Sequence, residues 1–146
     1  MTTVAKMTRV LCGAAIVAGC GARAAAPADP PSPPKSLQVN ATGALVDVDA
    51  ATVSGYVTVI DFWSESCGAC EVVGGMLAVQ VAQQPMVVIR KVDVGDADNA
   101  LGHAYKIGAL PHFNVYDKQR RLRYVLVGND CLKAPDRARE LAAETK

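Results

Sequence analysis

The sequence has no excess of either charge: fifteen Lys and Arg stand against fourteen Asp and Glu, a formal net charge of +1. No basic block is dense enough to make a nucleic-acid surface, so no nucleic-acid partner is expected. Lys6 and Arg9 precede the first acidic residue; without the residues before Cys20, thirteen basic side chains face fourteen acidic ones. Charge therefore points to no class of partner. A long hydrophobic run is also missing: residues 10–18 are apolar, interrupted by Cys12 and Gly13, and that span is too short for a bilayer-crossing helix. Histidine is scarce, with His103 and His112 alone, and no internal repeat is present. At 146 residues the chain is too short for two ordinary domains, while 51% hydrophobic residues suffice for one packed core.

What is present begins with the leader. An apolar run of this length behind Lys6 and Arg9 has the dimensions of a signal-peptide core. It ends in Val17-Ala18-Gly19-Cys20, which resembles the lipobox of bacterial lipoproteins. That resemblance implies a signal peptide over 1–19 and a lipidated Cys20. It further implies export and a lipid anchor facing the periplasm. Gly21 stands where an aspartate is associated with inner-membrane retention, which favours the outer membrane. The alternative is ordinary secretory cleavage at a site such as Ala22-Arg23-Ala24, which would discard Cys20. Residues 22–36 hold five prolines and read as a semi-stiff spacer. The chain thus divides into a signal peptide (1–19), a lipidated linker (20–36) and a globular domain (37–146).

Within that domain, β-prone runs at 37–40 and 44–48 around Ala41-Thr42-Gly43 predict a small hairpin. Residues 56–61 and 86–94 are almost wholly apolar and rich in β-branched side chains, as strands buried on both faces are. Residues 71–83 show helical spacing in Val72, Met76 and Val79 and less cleanly in Val81, and 99–105 reads as a short helix. Two strands at 112–117 and 122–127 flank the polar Lys118-Gln119-Arg120-Arg121 turn, and an amphipathic helix covers 132–143. The order β-α-β-α-β-β-α predicts an α/β domain with a mixed sheet covered by helices.

The five cysteines fall into distinct settings. Cys12 lies in the leader and Cys20 in the lipobox-like sequence; Cys131 has no obvious partner. Cys67 and Cys70 form a CxxC directly after a buried strand and at the opening of a helix. Zinc needs about four ligands, and Cys131, His103 and His112 form no second paired motif. A redox pair fits better. A helix N-terminus favours thiolate at the first cysteine, and the second lies one turn away, within reach of a mixed disulfide on the first.

The run Val59-Ile60-Asp61-Phe62-Trp63-Ser64-Glu65-Ser66-Cys67-Gly68-Ala69-Cys70 resembles the active-site stretch of thioredoxins. Tyr105-Lys106-Ile107-Gly108-Ala109-Leu110-Pro111 resembles the segment that carries the family's cis-proline, about forty residues on, and Val127-Gly128 resembles the glycine after the last strand. Residues 44–55 look like the N-terminal hairpin of membrane-tethered TlpA- or ResA-type reductases. The resemblance implies a thioredoxin fold and a protein-disulfide oxidoreductase. Cys67 would be the attacking thiolate and Cys70 the resolving thiol; Asp61 would relay a proton beside Lys91. Pro111 would be cis, presenting the backbone of Leu110. Ser66, Gly68, Ala69 and Gly128 would complete a substrate surface; His112, next to Pro111, would either join it or tune the thiolate, or else be a satisfied surface or strand histidine. Burial should raise the Asp61 pKa.

Some positions depart from the family pattern: Ser66 replaces a tryptophan, Ala69 a proline and Glu71 a lysine, while Gly74-Gly75 stands where the family helix has a proline kink. The expected activity is reduction of protein disulfides in the bacterial envelope by a monomer. It needs no cofactor beyond the Cys67–Cys70 disulfide and draws electrons from a membrane or periplasmic thiol donor. Two alternatives stay open: a copper chaperone using Cys67, Cys70 and His112, and a non-catalytic interaction module with a structural disulfide.

Overall fold

The computed structural model describes residues 31–96 and 98–145. The leader, Cys12 and Cys20 lie outside the described residues. Five strands, β1 (Ser36–Gln38), β2 (Val57–Trp63), β3 (Val87–Asp93), β4 (His112–Tyr116) and β5 (Leu122–Val127), form a mixed sheet in the order β1-β3-β2-β4-β5. β1 and β2 run parallel to β3, whereas β4 is antiparallel to both β2 and β5. The helices are α1 (Val48–Ala51), α2 (Gly68–Ala82), α3 (Ala100–Ala104) and α4 (Ala134–Ala143), with a 3-10 turn over Gly128–Lys133 before the last.

Alternation along β2 sorts the interior into two halves. Val57 and Val59 pack with Phe113, Val115, Leu77, Val81, Ala138 and Leu141 beneath α2 and α4. Ile60 and Phe62 pack on the other face with Val92, Leu101, Ile107 and Tyr116. Asp61 continues the odd-numbered row, so its carboxylate is carried into the apolar layer under α2. The register places it beside Lys91 of β3 and Phe113 of β4.

The expected hairpin at 37–48 does not form. β1 pairs in parallel with β3, and residues 44–47 are not a strand. Side-chain and turn chemistry overrides the β-prone composition. The Asn40 amide donates to Ala44 O at 2.9 Å and Asp93 O at 3.0 Å, and its Oδ1 accepts from Asp93 N at 2.9 Å. Gly43, at φ 68°, turns the chain while its N–H bonds Asp93 O. Asp47 then caps α1, accepting from Asp49 N and Ala50 N.

The buried face of α2 also differs from the spacing read in the sequence. Val72 and Val79 are 63% and 72% exposed, and Met76 is exposed too. Cys70, Leu77 and Val81 point inward, with Val73 packed against the same layer. Positions 70, 73, 77 and 81 are as helix-periodic as 72, 76 and 79. The helix is apolar on more than one side, and the side carrying Val73, Leu77 and Val81 is the one packed on the sheet.

Beyond β4, Asp117 closes the β4–β5 turn, accepting from Gln119 N, Arg121 N and the Arg121 guanidinium. Arg120, at φ 65°, reaches across to Thr52 Oγ1 and Asp49 O, tying this turn to α1.

Candidate active site

β2 ends at Trp63, and Ser64-Glu65-Ser66 lead into α2, for which Cys67 is the N-cap residue. Cys67 and Cys70 are joined by a disulfide, with 5.2 Å between their Cα atoms. Cys67 is half-buried and Cys70 buried. Cys67 Sγ accepts from Cys70 N at 3.1 Å. When the pair is reduced, the same amide and the helix N-terminus stabilise a thiolate at Cys67. The accessible sulfur can therefore attack, and the covered one can resolve.

Asp61 lies under this helix and is 2% exposed. Its Oδ1 has no hydrogen-bond partner among the described residues. Burial pushes its carboxyl up to about 6, against the opposing pull of Lys91. The Lys91 ammonium stands 4.3 Å from the centroid of the Trp63 ring. Trp63 is itself fixed by a 3.1 Å hydrogen bond from Nε1 to Gln38 Oε1. A buried carboxyl with a lifted pKa beside a resolving thiol can take and return a proton near neutral pH.

The Leu110–Pro111 peptide bond is cis. Pro111 O accepts from Gly128 N at 2.8 Å and from Cys131 Sγ at 3.4 Å. Gly128 has φ 58°, a left-handed value that glycine adopts without strain. Leu110 faces a groove of about 770 Å³ beside Cys67, which Ser64, Ser66, Thr42 and Asp96 also line. Gly68 and Ala69 are exposed on the tip of the helix.

His112 does not join this surface. It is buried on the Phe62 side of the sheet, edge-on to that ring at 5.5 Å, with Nε2 3.1 Å from Asn114 Oδ1. Burial lowers its pKa, opposed by the Asn114 hydrogen bond. As the first residue of β4 it alternates away from Phe113, which shares the Asp61 face, so a place in the chain next to Pro111 does not become a place in the groove. The same alternation separates His112 from Cys67 and Cys70 as a ligand set. Among the described residues no three His, Cys, Asp or Glu side chains converge as a metal site needs.

Cys131 is buried, donating to Leu126 O at 3.2 Å as well as to Pro111 O. Burial raises its thiol to about 11, the Phe113 backbone hydrogen bond opposing and the Asp61 charge adding to the rise. It stays protonated and packs. Two residues near the site were not singled out as functional from sequence. Glu65 borders both the groove and a second cavity on the α2 flank. The α2 backbone at Gly74 passes so close to Asp61 that an added Cβ would lie 3.2 Å from Oδ2. The missing proline at 74–75 was the available signal for Gly74; Glu65 offered only its adjacency to the motif.

Known proteins match this arrangement. The family model named Thioredoxin covers residues 45–133. The chain is 37% identical to a thioredoxin of Mycoplasma pneumoniae over 60 residues, which span 41% of this chain and 58% of that protein. It is 31% identical to a thioredoxin of Coprinus comatus over 87 residues, 58% of this chain and 81% of the relative. Among solved structures, a mutant thioredoxin from Halobacterium salinarum superposes with a TM-score of 0.62 at 21% identity, covering 81% of this chain and 100% of its own. Malassezia sympodialis thioredoxin gives 0.56 at 26% identity, covering 76% and 95%. The matched span contains the disulfide, the buried aspartate and the cis-proline together, and on that basis the chain belongs to the thioredoxin family of disulfide oxidoreductases.

Proposed function

We propose that this protein reduces disulfides of partner proteins in a bacterial cell envelope, held at a membrane by a lipid on Cys20 and resupplied with electrons by a membrane or periplasmic thiol donor. The observation that carries the activity is the pairing of a half-exposed Cys67 with a buried Cys70 above Asp61, opposite the Leu110–Pro111 turn. Cys67 thiolate attacks a substrate disulfide, forming a mixed disulfide and releasing one substrate thiolate, which takes a proton. Cys70 gives its proton to Asp61 and its sulfur attacks Cys67. The Cys67–Cys70 bond forms, and the second substrate thiolate leaves and is protonated. These steps move two electrons from the cysteine pair to the substrate, whose two thiolates take protons from solvent, while the Cys70 proton rests on Asp61.

The reducing direction is supported by likeness to thioredoxins at Asp61 and Trp63. The envelope location is supported by Lys6, Arg9, the short apolar run and Val17-Ala18-Gly19-Cys20. Equilibrating the pair against a graded thiol–disulfide buffer tests the direction. A potential near about −270 mV fits a dedicated reductant, and one near about −120 mV reverses the assignment. Metabolic labelling with palmitate tests the anchor: the wild-type chain should take up label in a bacterial host and Cys20→Ser should not. Equal labelling, or none in either, refutes it.

A further inference from the structure

A surface helix of a globular domain typically carries polar and charged residues on its outer side. α2 does not. Its fifteen residues include one charged side chain, Glu71, and Glu71 turns to the flank, where it lines a cavity together with Lys91. Val72, Met76 and Val79, spaced i, i+4 and i+7, form one row on the side turned away from the sheet. Val72 and Val79 stand largely in solvent, and Met76 is about half exposed. Gly75 lies among them with open space where a Cβ would be, which leaves a notch for a side chain from outside.

The row runs into the surface around Cys67 at two places. At its N-terminal end, Gly68 and Ala69 are exposed beside the N-cap Cys67. Along its side, Met76 shares a small cleft with Leu132, an exposed leucine of the 3-10 turn. That turn opens with Gly128, whose N–H bonds Pro111 O at 2.8 Å. The apolar patch therefore extends the face on which a partner disulfide must meet Cys67. Polar groups border it: Glu71 and Gln80 on α2, and the Asp130–Lys133 ion pair at 2.7 Å. An apolar centre with a polar rim is the make-up of a protein interface.

Size and chemistry narrow the occupant. Val72, Met76, Val79 and Leu132 together expose on the order of 400 Å², whereas a stable interface buries about 800 Å² per partner. A permanent second copy of this chain is thus a poor fit, and a partner that comes and goes with each exchange is a good one. With no charge in the row, the complementary surface is apolar too. A straight row of this spacing, notched at Gly75, suits a second helix packed against α2.

We infer that the outer side of α2, from Val72 to Val79 with Leu132, docks the apolar side of an amphipathic helix in the redox partner while the partner's sulfur engages Cys67. The inference rests on the disulfide-exchange reading above and adds the chemistry of the partner. The exchange steps are unchanged: the docked helix holds the partner while Cys67 attacks and leaves with it.

The test uses the reduced full chain and two synthetic peptides, each with its cysteine in a mixed disulfide with nitrothiobenzoate. In one, the cysteine is followed by an amphipathic helix of leucine, alanine and lysine; in the other, every leucine is glutamine. Attack of Cys67 on the peptide sulfur releases the coloured thiolate and gives a single-turnover second-order rate constant. The wild type should react roughly tenfold faster with the leucine peptide, and the ratio should fall to within about twofold of unity in Val72→Ser/Val79→Ser. Met76→Gln should lower it too and serves should the double variant fold poorly. Leu45→Ser, at a leucine as exposed as Val72 but in the segment before α1, should keep the wild-type ratio. Equal rates for both peptides in the wild type, or a wild-type ratio in the double variant and Met76→Gln, overturn the docking face and leave the exchange reading intact. In that case a dimer, or binding to phosphatidylethanolamine–phosphatidylglycerol vesicles, that the double variant loses assigns the face to a second copy or to lipid instead. A wild type that reduces neither peptide fails the exchange reading. The face is then judged by isothermal titration with the leucine peptide carrying serine for cysteine. Weaker binding to the double variant than to wild type upholds it, and equal binding overturns it.

Discussion

Replacing Asp61 with asparagine removes a charge that the fold tolerates at a cost, and the structure sets its size. The side chain is 2% exposed, and burial, partly offset by Lys91, lifts its pKa from 3.8 to about 6. At ~1.4 kcal/mol per pH unit, ionised Asp61 destabilises the native chain by ~3 kcal/mol. The sign follows from proton binding. The folded carboxyl holds its proton more tightly than the unfolded one, so the penalty is absent below 3.8, grows as the pH rises through the window up to about 6, and is constant above it. Asparagine is neutral throughout. The oxidised Asp61→Asn chain should therefore be more stable than wild type by ~3 kcal/mol near pH 8, with a melting temperature higher on the order of 10 °C. The gap should narrow as the pH is lowered toward 4. Urea unfolding of both oxidised chains at about pH 4.5, 6 and 8 measures it, and disulfide reduction should slow in the same variant because the proton acceptor is gone. A stability gap independent of pH, or an asparagine variant less stable near pH 8, would refute the placement of an unpaired carboxylate in the core.

The two sides of α2 give a second check. Leu77→Ala should cost about 2–5 kcal/mol and Val79→Ala nothing measurable by denaturant unfolding, because Leu77 is 1% and Val79 72% exposed; equal costs would mean that the helix is rotated. Asp117 gives a third. Burial pushes its carboxyl up, but hydrogen bonds from Arg121, Gln119 and Arg123 outweigh this and hold it at about 2. Its contribution is present above about pH 4 and lost as the pH falls through about 2. Asp117→Asn should thus destabilise the chain on the order of 2 kcal/mol at neutral pH, with the difference from wild type shrinking in acid melts. A difference that persists unchanged below about pH 2 would count against this.

Much of the sheet was legible because its strands carry their own signature. Val57, Val59 and Ile60 in β2 and Val87, Val88 and Ile89 in β3 are β-branched and buried on both faces, and β4 and β5 flank a turn of polar residues. The CxxC and the Leu110–Pro111 segment were legible as local motifs. What composition concealed was set by contacts distant in sequence. The hairpin reading failed because Asn40 bonds Asp93, 53 residues away. The face of α2 was ambiguous because apolar side chains occupy both candidate stripes, Val72, Met76 and Val79 on one and Val73, Leu77 and Val81 on the other. Of the two readings of His112, a groove contact or a strand residue, the second holds: the strand start at 112 was legible, but which face of the sheet that residue takes is set by its pairing with Phe62. The closeness of Gly74 to Asp61 depends on how the helix crosses the sheet.

Asn40 has one more implication. A single side-chain amide stands in for a strand residue there, satisfying both the N–H and the C=O of Asp93 and the C=O of Ala44. Asp93 and Thr42, joined at 2.7 Å, form the far wall of the groove beside Cys67. The shape of that wall therefore hangs on a group that slow hydrolysis can erase. Conversion of this amide to a carboxylate would strip two donors and set an anion against two carbonyl oxygens. The damage of protein ageing would then reach the partner-facing surface while both redox cysteines stayed chemically intact.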